Sequence, residues 1–566
     1  MLKIYNSLPV TQHFLKALLI TALSLLLSSC SAEETTQVAK TSSNNVPIIE
    51  TIKPITLYTE TNLTVVINAT DSDQDDLQFT LTDQPDFMHY TDEGNGTLIL
   101  YFHPLQGDEG NYTSTLLKVS DSTITIDVPL TISVEINNTT TQVCDFFVDP
   151  ANGDINANGS ELDPWSTFEA VTTAHKLFLE GETICLFNGN HGAPSLNNYH
   201  FSTPITFIAK DGHTPSVSKL SFINSDHINI KTVVIDGSQV TPSSNPSSKA
   251  FLLNSDSNSH HLLFDNITVK SADDSSGWTK SDWYAKVYSG AWMRGEYIAI
   301  TNSLFLNTYH AVMLSGDHAY MAHTVIDNFA GDAIRGLGSF STYEYNTVRD
   351  CYIDDYAIQH DDAFQTFDTS ADPKVEAVTI RFNKFLLFQD PITQFVQDNN
   401  LIGTLMQGLI ITDGYADGWI VENNLIVNDQ LHGISLYGVR NSRIQNNTVI
   451  QHPYFTDSDV PRIYLDKSSK TGQLNFNNIV RNNIAAQYTT WTYDETTLVE
   501  GNTLIDRTDR TSYEACFSDY DSQDFHLKVD ASAIDAGVNS DLNDKDLDGN
   551  SRINGAQVDS GAYEYE

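Results

Sequence analysis

A column of polar residues recurs at one position of a repeated short segment in the middle of the chain. In each copy, a polar residue is followed by a small residue and then by a run in which core-type side chains alternate with others. The heads of these segments are His310, Asp332, Asp362, Gln407 and His432. Their spacing starts at about 22 residues and is lengthened by insertions, a period typical of a solenoid of stacked short strands. Stacking would align the heads along one edge of one sheet.

The densest group of reactive side chains follows residue 359, where His360, Asp361 and Asp362 are consecutive. Carboxylates this close raise the pKa of one of them, whereas a cation such as Arg335, one repeat away, lowers it. Either arrangement suits acid–base catalysis. The sequence therefore predicts the following catalytic residues: His360, Asp361, Asp362, Arg335 and His432.

The alternation within each segment predicts which side chains face outward. Ile434 and Leu436 must fill a narrow core, so Tyr437 points away from it. The same register places Arg335 and Gln365 on the outer face. This face would form the floor of a groove for a chain-like ligand. We expect substrate to contact Asp332, Gln365, Gln407, Tyr437 and His310.

Composition narrows the classes of partner. The 566 residues include 73 Asp and Glu against 30 Lys and Arg, which gives a formal net charge of −43. Nucleic acid is an improbable ligand, because binding a phosphate backbone requires a basic surface. The acidic excess favours solubility, and its Asp clusters are candidates for divalent-cation binding.

The N-terminus reads as an export signal. An apolar run from Ala17 to Leu27 is too short to span a bilayer comfortably and stops just before Cys30. The small residues before Cys30 resemble a bacterial lipobox. That resemblance implies a signal peptide over residues 1–30, lipidation of Cys30, and anchoring in the cell envelope at the outer membrane. Residues 31–47 are rich in Ser, Thr and Glu and are predicted to be a linker.

Residues 48–140 form a predicted all-β unit, because strand-like runs alternate with turns at the spacing of a sandwich. The motif around Asp71, Asp73 and Asp75, followed later by Asp121, resembles bacterial cadherin-like or immunoglobulin-like modules. The resemblance implies a small β-sandwich in which these four carboxylates bind Ca²⁺. An ordinary Asp-rich turn is the alternative.

Residues 142–566 are predicted to be the solenoid. Asp149-Pro150-Ala151-Asn152-Gly153, Pro164-Trp165 and Gly181-Glu182-Thr183-Ile184 resemble the start of bacterial right-handed parallel β-helix proteins of the pectin-lyase-like class. A short helix around residues 167–177 would cap the open end of the core. Asn residues at the bends suit a left-handed backbone and can hydrogen-bond along the axis. Cys144 and Cys185 can pair there, whereas Cys351 and Cys516 are either paired or free.

The fold class is therefore all-β, a right-handed parallel β-helix preceded by a small β-sandwich. Resemblance to secreted carbohydrate-active β-helix proteins implies a polysaccharide ligand, and we expect a monomer. A lyase would cleave a uronate polymer by β-elimination, with Ca²⁺ at Asp332, Asp361 and Asp362. An inverting glycoside hydrolase would use an Asp pair. A non-catalytic binding or adhesive lipoprotein and a C5-epimerase are further alternatives. The Arg-x-Lys element of polygalacturonases and the Lys pattern of pectate lyases are missing, and we favour the lyase.

Overall fold

The computed structural model describes residues 44–565 with internal gaps. The gaps are residues 50–51, 60, 62, 74, 76, 86, 93–95, 106, 136–142, 241–248, 353–360, 368–373, 402–405, 412–413, 456–459, 487, 490–495 and 507. The predicted lipidation site Cys30 and the predicted catalytic His360 lie outside the described residues. By its internal contacts the chain divides into two compact units, residues 1–140 and 141–566.

The first unit is a set of short, mostly antiparallel strands around one apolar core. One sheet has the strand order Ile48–Ile49, Leu63–Thr70, Thr97–Phe102, Met88–Asp92; a second has Ile55–Tyr58, Ile132–Glu135, Gly110–Tyr112; a third has Gln78–Thr82, Leu116–Ser120, Thr125–Pro129. Alternate residues of these strands, such as Leu98 and Leu100 or Leu117 and Val119, are fully buried. The period-2 pattern of the sequence is thus what directs one face of each strand into the core.

The second unit is a parallel β-helix, which confirms the predicted fold class. The chain visits three long parallel sheets in turn, and each strand pairs with the equivalent strand of the next coil. Its interior is a column of aliphatic and aromatic side chains, among them Ile230, Phe264 and Ile300 on successive coils. Each coil alone could not bury these side chains, so stacking is what stabilises the unit.

Among the described residues, the three sheets contain 13, 12 and 11 strands. Sheet 1 consists of Phe146–Val148, Thr183–Leu186, Ile205–Ala209, Asp226–Lys231, His260–Asp265, Ile298–Thr301, Tyr320–Ala322, Thr342–Glu344, Thr379–Arg381, Ile420–Glu422, Arg443–Gln445, Ile479–Arg481 and Leu498–Glu500. Sheet 2 consists of Gly189–Asn190, Pro215–Val217, Val234–Asp236, Thr268–Lys270, Leu304–Thr308, Val325–Phe329, Thr347–Cys351, Lys384–Leu386, Leu425–Asn428, Thr448–Gln451, Ile484–Ala485 and Thr503–Leu504. Sheet 3 consists of Ser195–Asn197, Leu220–Ile223, Phe251–Ser255, Ser289–Met293, Val312–Leu314, Ile334–Gly336, Asp362–Thr366, Gln407–Ile411, His432–Tyr437, Arg462–Asp466 and Tyr488–Thr489.

The bend between sheets 1 and 2 is held by a ladder of asparagines, of which all but the last are buried. Each side-chain amide donates to the side-chain oxygen of the next at 3.0 Å. The ladder consists of Asn346, Asn383, Asn424, Asn447, Asn483 and Asn502. The preceding residue has a left-handed backbone in most coils, as at Asn423 (φ 55°) and Asn446 (φ 53°). The structural role predicted for the bend asparagines is confirmed.

The N-terminal end of the β-helix is closed by helix α1, Phe168–Thr173, within the range predicted from the sequence. Thr167 caps it by accepting a hydrogen bond from the backbone of Ala170. Cys144 and Cys185 form a disulfide that joins the segment before the first coil to sheet 1. Cys351 and Cys516 are free and buried.

Three further helices follow in the second unit: α2 (Lys280–Lys286), α3 (Gln394–Asp398) and α4 (Arg510–Cys516). Two minor strand pairs are Lys374–Glu376 with Tyr415–Asp417 and Phe517–Asp519 with Asp524–Leu527, and a 3₁₀ turn spans Gly237–Gln239. The C-terminal segment docks through buried Arg552, which pairs with Glu564 and donates to Asn423. No helix among the described residues is long and apolar enough to cross a membrane.

Candidate functional site

The outer face of sheet 3 carries the predicted column in the predicted register. Met313, Arg335, Gln365 and Ile410 are ladder partners on four successive coils, and Ser435 continues the row. Alternation within the strands places their neighbours Ile334, Phe364 and Leu409 in the core at 0% exposure. This agreement follows from the strand period of two, which leaves a single register that buries the apolar set.

The heads of the column lie side by side at the N-terminal ends of the sheet 3 strands. The backbone N–H of Asp332 donates to Nδ1 of His310 at 3.1 Å, and that of Asp362 donates to Oδ1 of Asp332 at 3.1 Å. Asp362 is the ladder partner of Gln407. His432 starts its strand opposite Arg462 of the next coil. Head side chains therefore accept backbone hydrogen bonds from the following coil, so they support the turn as well as lining it.

Asp332, the second head of this column, forms an ion pair with Arg335. Asp332 is 1% exposed and accepts from the guanidinium of Arg335 through Oδ2, while the Arg335 side chain remains partly exposed. Burial lowers the pKa of the neighbouring His310 to about 4, with the charge of Asp332 acting in the opposite direction. His310 is thus uncharged at neutral pH and contributes an acceptor rather than a cation.

The two carboxylates at the centre of the column are enclosed. Asp362 is 0% exposed and accepts from Nε2 of Gln365 at 2.5 Å, and Asp361 lies 3.7 Å from the thiol of Cys351 through Oδ2. Gln365 and Gln407 are themselves buried. The structure thus differs here from the open groove floor expected from alternation, because alternation reports which face a side chain takes and not what covers that face.

The open part of the row lies further along, at the coils that begin with His432 and Arg462. His432, Tyr437, Arg462 and Tyr464 are half-buried on the outer face. Nδ1 of His432 lies 2.8 Å from Oγ of Ser435, and when Nδ1–H is donated to that oxygen, Nε2 is the ring nitrogen that carries no proton. The guanidinium of Arg462 lies 4.3 Å from the ring of Tyr464.

The phenol groups of Tyr437 and Tyr464 are partly shielded from water. Their rings meet edge to face, with centroids 5.7 Å apart, and Tyr464 donates to Asp466 at 2.5 Å. Burial raises the pKa of Tyr437, and burial together with the bond to Asp466 raises the pKa of Tyr464 to about 12. Both phenols therefore keep their protons at neutral pH and can donate them in a hydrogen bond.

Arg462 and Tyr464 were missed by sequence reasoning. The ladder shifts register at His432 and Ile434, where Gly433 is an extra residue that the next strand lacks. As a result, the motif of a polar head and a small residue does not occur at Arg462. The signal that could have found the strand is the alternation of buried Ile463 and Leu465 with outward neighbours.

The carboxylates predicted to bind calcium differ in how far other groups of the protein already bond to them. In the groove, Oδ2 of Asp332 is engaged by Arg335 and Oδ2 of Asp362 by Gln365, so a cation there would have to displace them. In the N-terminal unit, Asp71, Asp73 and Asp75 each place a carboxylate oxygen within 4.8 Å of the others. Asp121 does not belong to this group of three carboxylates. Backbone hydrogen bonds, chiefly from Ile124, lower the pKa of its carboxyl. Calcium binding stays a prediction at both places.

Residues 331–523, less than half of the chain, match the family model described as periplasmic copper-binding protein (NosD). No curated protein matches the chain. Among solved structures, the chain is similar to pectate lyase Pel9A, with 15% identity, 76% of this chain and 98% of that one covered, and a TM-score of 0.38. It is also similar to a family 28 exopolygalacturonase of Yersinia enterocolitica, with 11% identity, coverages of 81% and 99%, and a TM-score of 0.31.

A third likeness is partial. An endo-fucoidan hydrolase of glycoside hydrolase family 107 shares 20% identity over 16% of this chain, with a TM-score of 0.15, and the match spans only 14% of that protein's length. At such identities the likenesses concern the fold.

Proposed function

We propose that the chain is a polysaccharide lyase that cleaves an acidic, uronate-containing polymer on the outer face of sheet 3. The observation that carries this proposal is the presence of two partly exposed guanidiniums, Arg335 and Arg462, with His432 on that face of a chain whose net charge is −43. Arg335 is paired with Asp332, whereas the guanidinium of Arg462 lies over the ring of Tyr464, and a guanidinium in that position on so acidic a chain favours an anionic ligand.

The length of the row suits a polymer. Four ladder steps separate the coil of Arg335 from that of Tyr464. At the usual spacing of hydrogen-bonded strands, these steps span about 19 Å. A ligand that contacts both guanidiniums must therefore be longer than a single sugar, and a uronate chain offers a carboxylate on each unit.

The chemistry assigned to these groups is β-elimination. A guanidinium pairs with the uronate carboxylate and makes the C5 proton more acidic. Nε2 of His432 removes that proton, the C4–O bond breaks, and a C4–C5 double bond forms. The departing oxygen takes a proton from an acid, for which Tyr437 lies on the same strand as His432. His360 is the alternative base.

The inverting hydrolase is less favoured by the burial of its acids. Asp332, Asp361 and Asp362 are at most 3% exposed, and each has a contact within the protein. A hydrolase needs two carboxylates that reach opposite sides of a bound sugar and leave room for water. We assign Asp332 to positioning Arg335 and Asp362 to positioning Gln365 instead.

The same proposal covers the setting of the enzyme. We place it in the bacterial cell envelope at the outer membrane, held by a lipid on Cys30, with the N-terminal unit as a calcium-binding cadherin-like spacer. Groove calcium, at Asp332, Asp361 and Asp362, is proposed as an aid to binding the uronate carboxylate, and on binding it would displace Arg335 and Gln365 from Asp332 and Asp362. These points rest on the sequence and are tested separately from the reaction.

The first experiment separates the reaction classes. The purified protein is incubated with a panel of acidic polysaccharides, with Ca²⁺ or with a chelator, while unsaturated-uronate absorbance and reducing ends are followed together. A lyase raises both signals, and loss of both with chelator supports calcium. Reducing ends without absorbance would indicate the hydrolase, and the absence of both signals would favour the binding protein or the epimerase.

Variants then test the assigned groups. His432→Gln should lower the elimination rate by about 10²–10⁴-fold, the usual contribution of a general base. Arg462→Gln should lower it by about 10²-fold or more, because charge stabilisation at the carboxylate is lost. The matched controls are His323→Gln, just after the sheet 1 strand Tyr320–Ala322, and Arg510→Gln, in α4, and both should retain the wild-type rate. Full activity in His432→Gln would move the role of base to His360.

A further inference from the structure

A group of imidazoles lies at the start of two sheet 1 strands, away from the residues used in the proposed reaction. The histidine cluster consists of His200, Asp226, His227, His260 and His261. Asp226 and His260 are ladder partners on adjacent coils, so the fold itself brings the two strand starts together. His227, His260 and His261 each place one ring nitrogen within 4.8 Å of the others.

Part of this arrangement is explained by stacking. His227 and His261 have left-handed backbones (φ 55° and 52°) and stack with ring centroids 4.5 Å apart. The stack continues through Tyr297, His318 and Phe340 on the next three coils. Tyr and Phe serve equally well there, so stacking requires a flat ring and not an imidazole.

Stacking does not explain the other members of the cluster. His260 lies outside the stack, at 78° to the ring of His261, with Nδ1 atoms of the two rings 2.8 Å apart. Asp226 is buried and holds two imidazoles, through Nδ1 of His200 at 2.5 Å and Nδ1 of His227 at 2.9 Å. A carboxylate on one ring nitrogen fixes the ring and leaves the other nitrogen for a ligand, which is the usual support of a metal-binding histidine.

The geometry points to a binding site for a divalent transition-metal ion, with His227, His260 and His261 as ligands and Asp226 as the carboxylate that orients His227. Imidazole nitrogen suits Zn²⁺, Cu²⁺ and Ni²⁺, whereas Ca²⁺ prefers oxygen. Nitrogens around a tetrahedral zinc ion lie about 3.4 Å apart, so small side-chain rotations close the group. His260 and His261 are solvent-accessible, which gives the ion a path in. This inference is independent of the proposed reaction.

The test is a calorimetric titration of the full-length protein with Zn²⁺, prepared with an affinity tag that contains no histidine. One Zn²⁺ should bind tightly, while Ca²⁺ should not compete for it. His260→Gln and His261→Asn should each weaken binding by at least about tenfold; Asn tolerates the left-handed backbone at position 261. The matched control is His318→Asn, which removes an imidazole from the same stack and should leave the affinity unchanged.

A second measurement needs no variant and so does not depend on how a variant folds. Diethyl pyrocarbonate modification of the wild-type protein is mapped by mass spectrometry with and without Zn²⁺. Protection of His227, His260 and His261, but not of His318, is expected. Equal affinity of the wild type and the His260→Gln variant, equal loss in His318→Asn, or unchanged modification of the cluster with Zn²⁺ would each overturn the inference.

Discussion

At the level of single residues, Arg335 is the one we expect to stabilise the column most, because it neutralises the almost fully buried carboxylate of Asp332. Arg335→Leu would leave an unpaired carboxylate in the site, a change that costs about 3–5 kcal/mol. We expect a lower midpoint in chemical denaturation, and partial recovery when Asp332→Asn is added. Arg510→Leu, which breaks an exposed pair, should cost at most about 1 kcal/mol. Equal effects of the two single changes would contradict the account.

Asp350 is a residue whose charge opposes folding. It is fully buried at the end of the strand Thr347–Cys351, and burial together with the charges of Asp390 and Asp327 raises its pKa to about 7. The folded state therefore holds a proton that the unfolded state has released between about pH 4 and pH 7. This group's contribution to stability is present below pH 4 and is lost as pH rises through 7.

The prediction for Asp350→Asn follows from that sign. The variant should gain stability relative to the wild type as pH rises from 5 to 8, at up to about 1.4 kcal/mol for each unit of pKa shift. The measurement is urea denaturation of both proteins across this pH range. A difference that stays constant with pH would show that Asp350 ionises normally in the folded protein.

At the scale of the element, the asparagine ladder is the device that ties one coil to the next. Asn424 lies in its middle: its side-chain amide donates to the backbone carbonyl of Ile380 and to Oδ1 of Asn447, and its Oδ1 accepts from the amide of Asn383. Asn424→Ala would leave buried partners unsatisfied, at a cost of about 1–3 kcal/mol for each group. Asn477→Gly, on an exposed bend, should cost much less, because glycine retains the left-handed backbone there. Hydrogen exchange at the flanking strands would show the loss, and unchanged protection would contradict it.

The elements were the most predictable part of the structure. The register from Met313 to Ile410 follows from the strand period, because a slip of one residue would turn every core side chain outward. The burial of Asp362 and Gln365 could not be predicted, because it depends on which residues cover the outer face of sheet 3. Covering residues follow no periodic sequence pattern. The sequence motif did not identify Arg462, because the extra residue Gly433 shifts the register of the preceding strand. The two strands nevertheless stay paired.

At the scale of the whole molecule, stability is a sum over neighbouring coils, and the ends are the weak points. The disulfide between Cys144 and Cys185 closes a loop at the N-terminal end of the β-helix, with a sequence separation of 41 residues. Replacing both cysteines with Ala should cost about 2–4 kcal/mol. Proteolysis should then start in the first coils, whereas removal of the free thiol Cys516 should leave them protected. Cleavage beginning elsewhere would contradict this view.

Elimination by His432 is best tested by the rate of unsaturated-uronate formation by the wild type and by His432→Gln on one acidic polysaccharide, with binding measured in parallel. We expect absorbance that rises with reducing ends in the wild type, and a rate lower by about 10²-fold or more in the variant, which still binds the polymer. Reducing ends without absorbance, or an unchanged rate in the variant, would contradict elimination by His432 on the outer face of sheet 3.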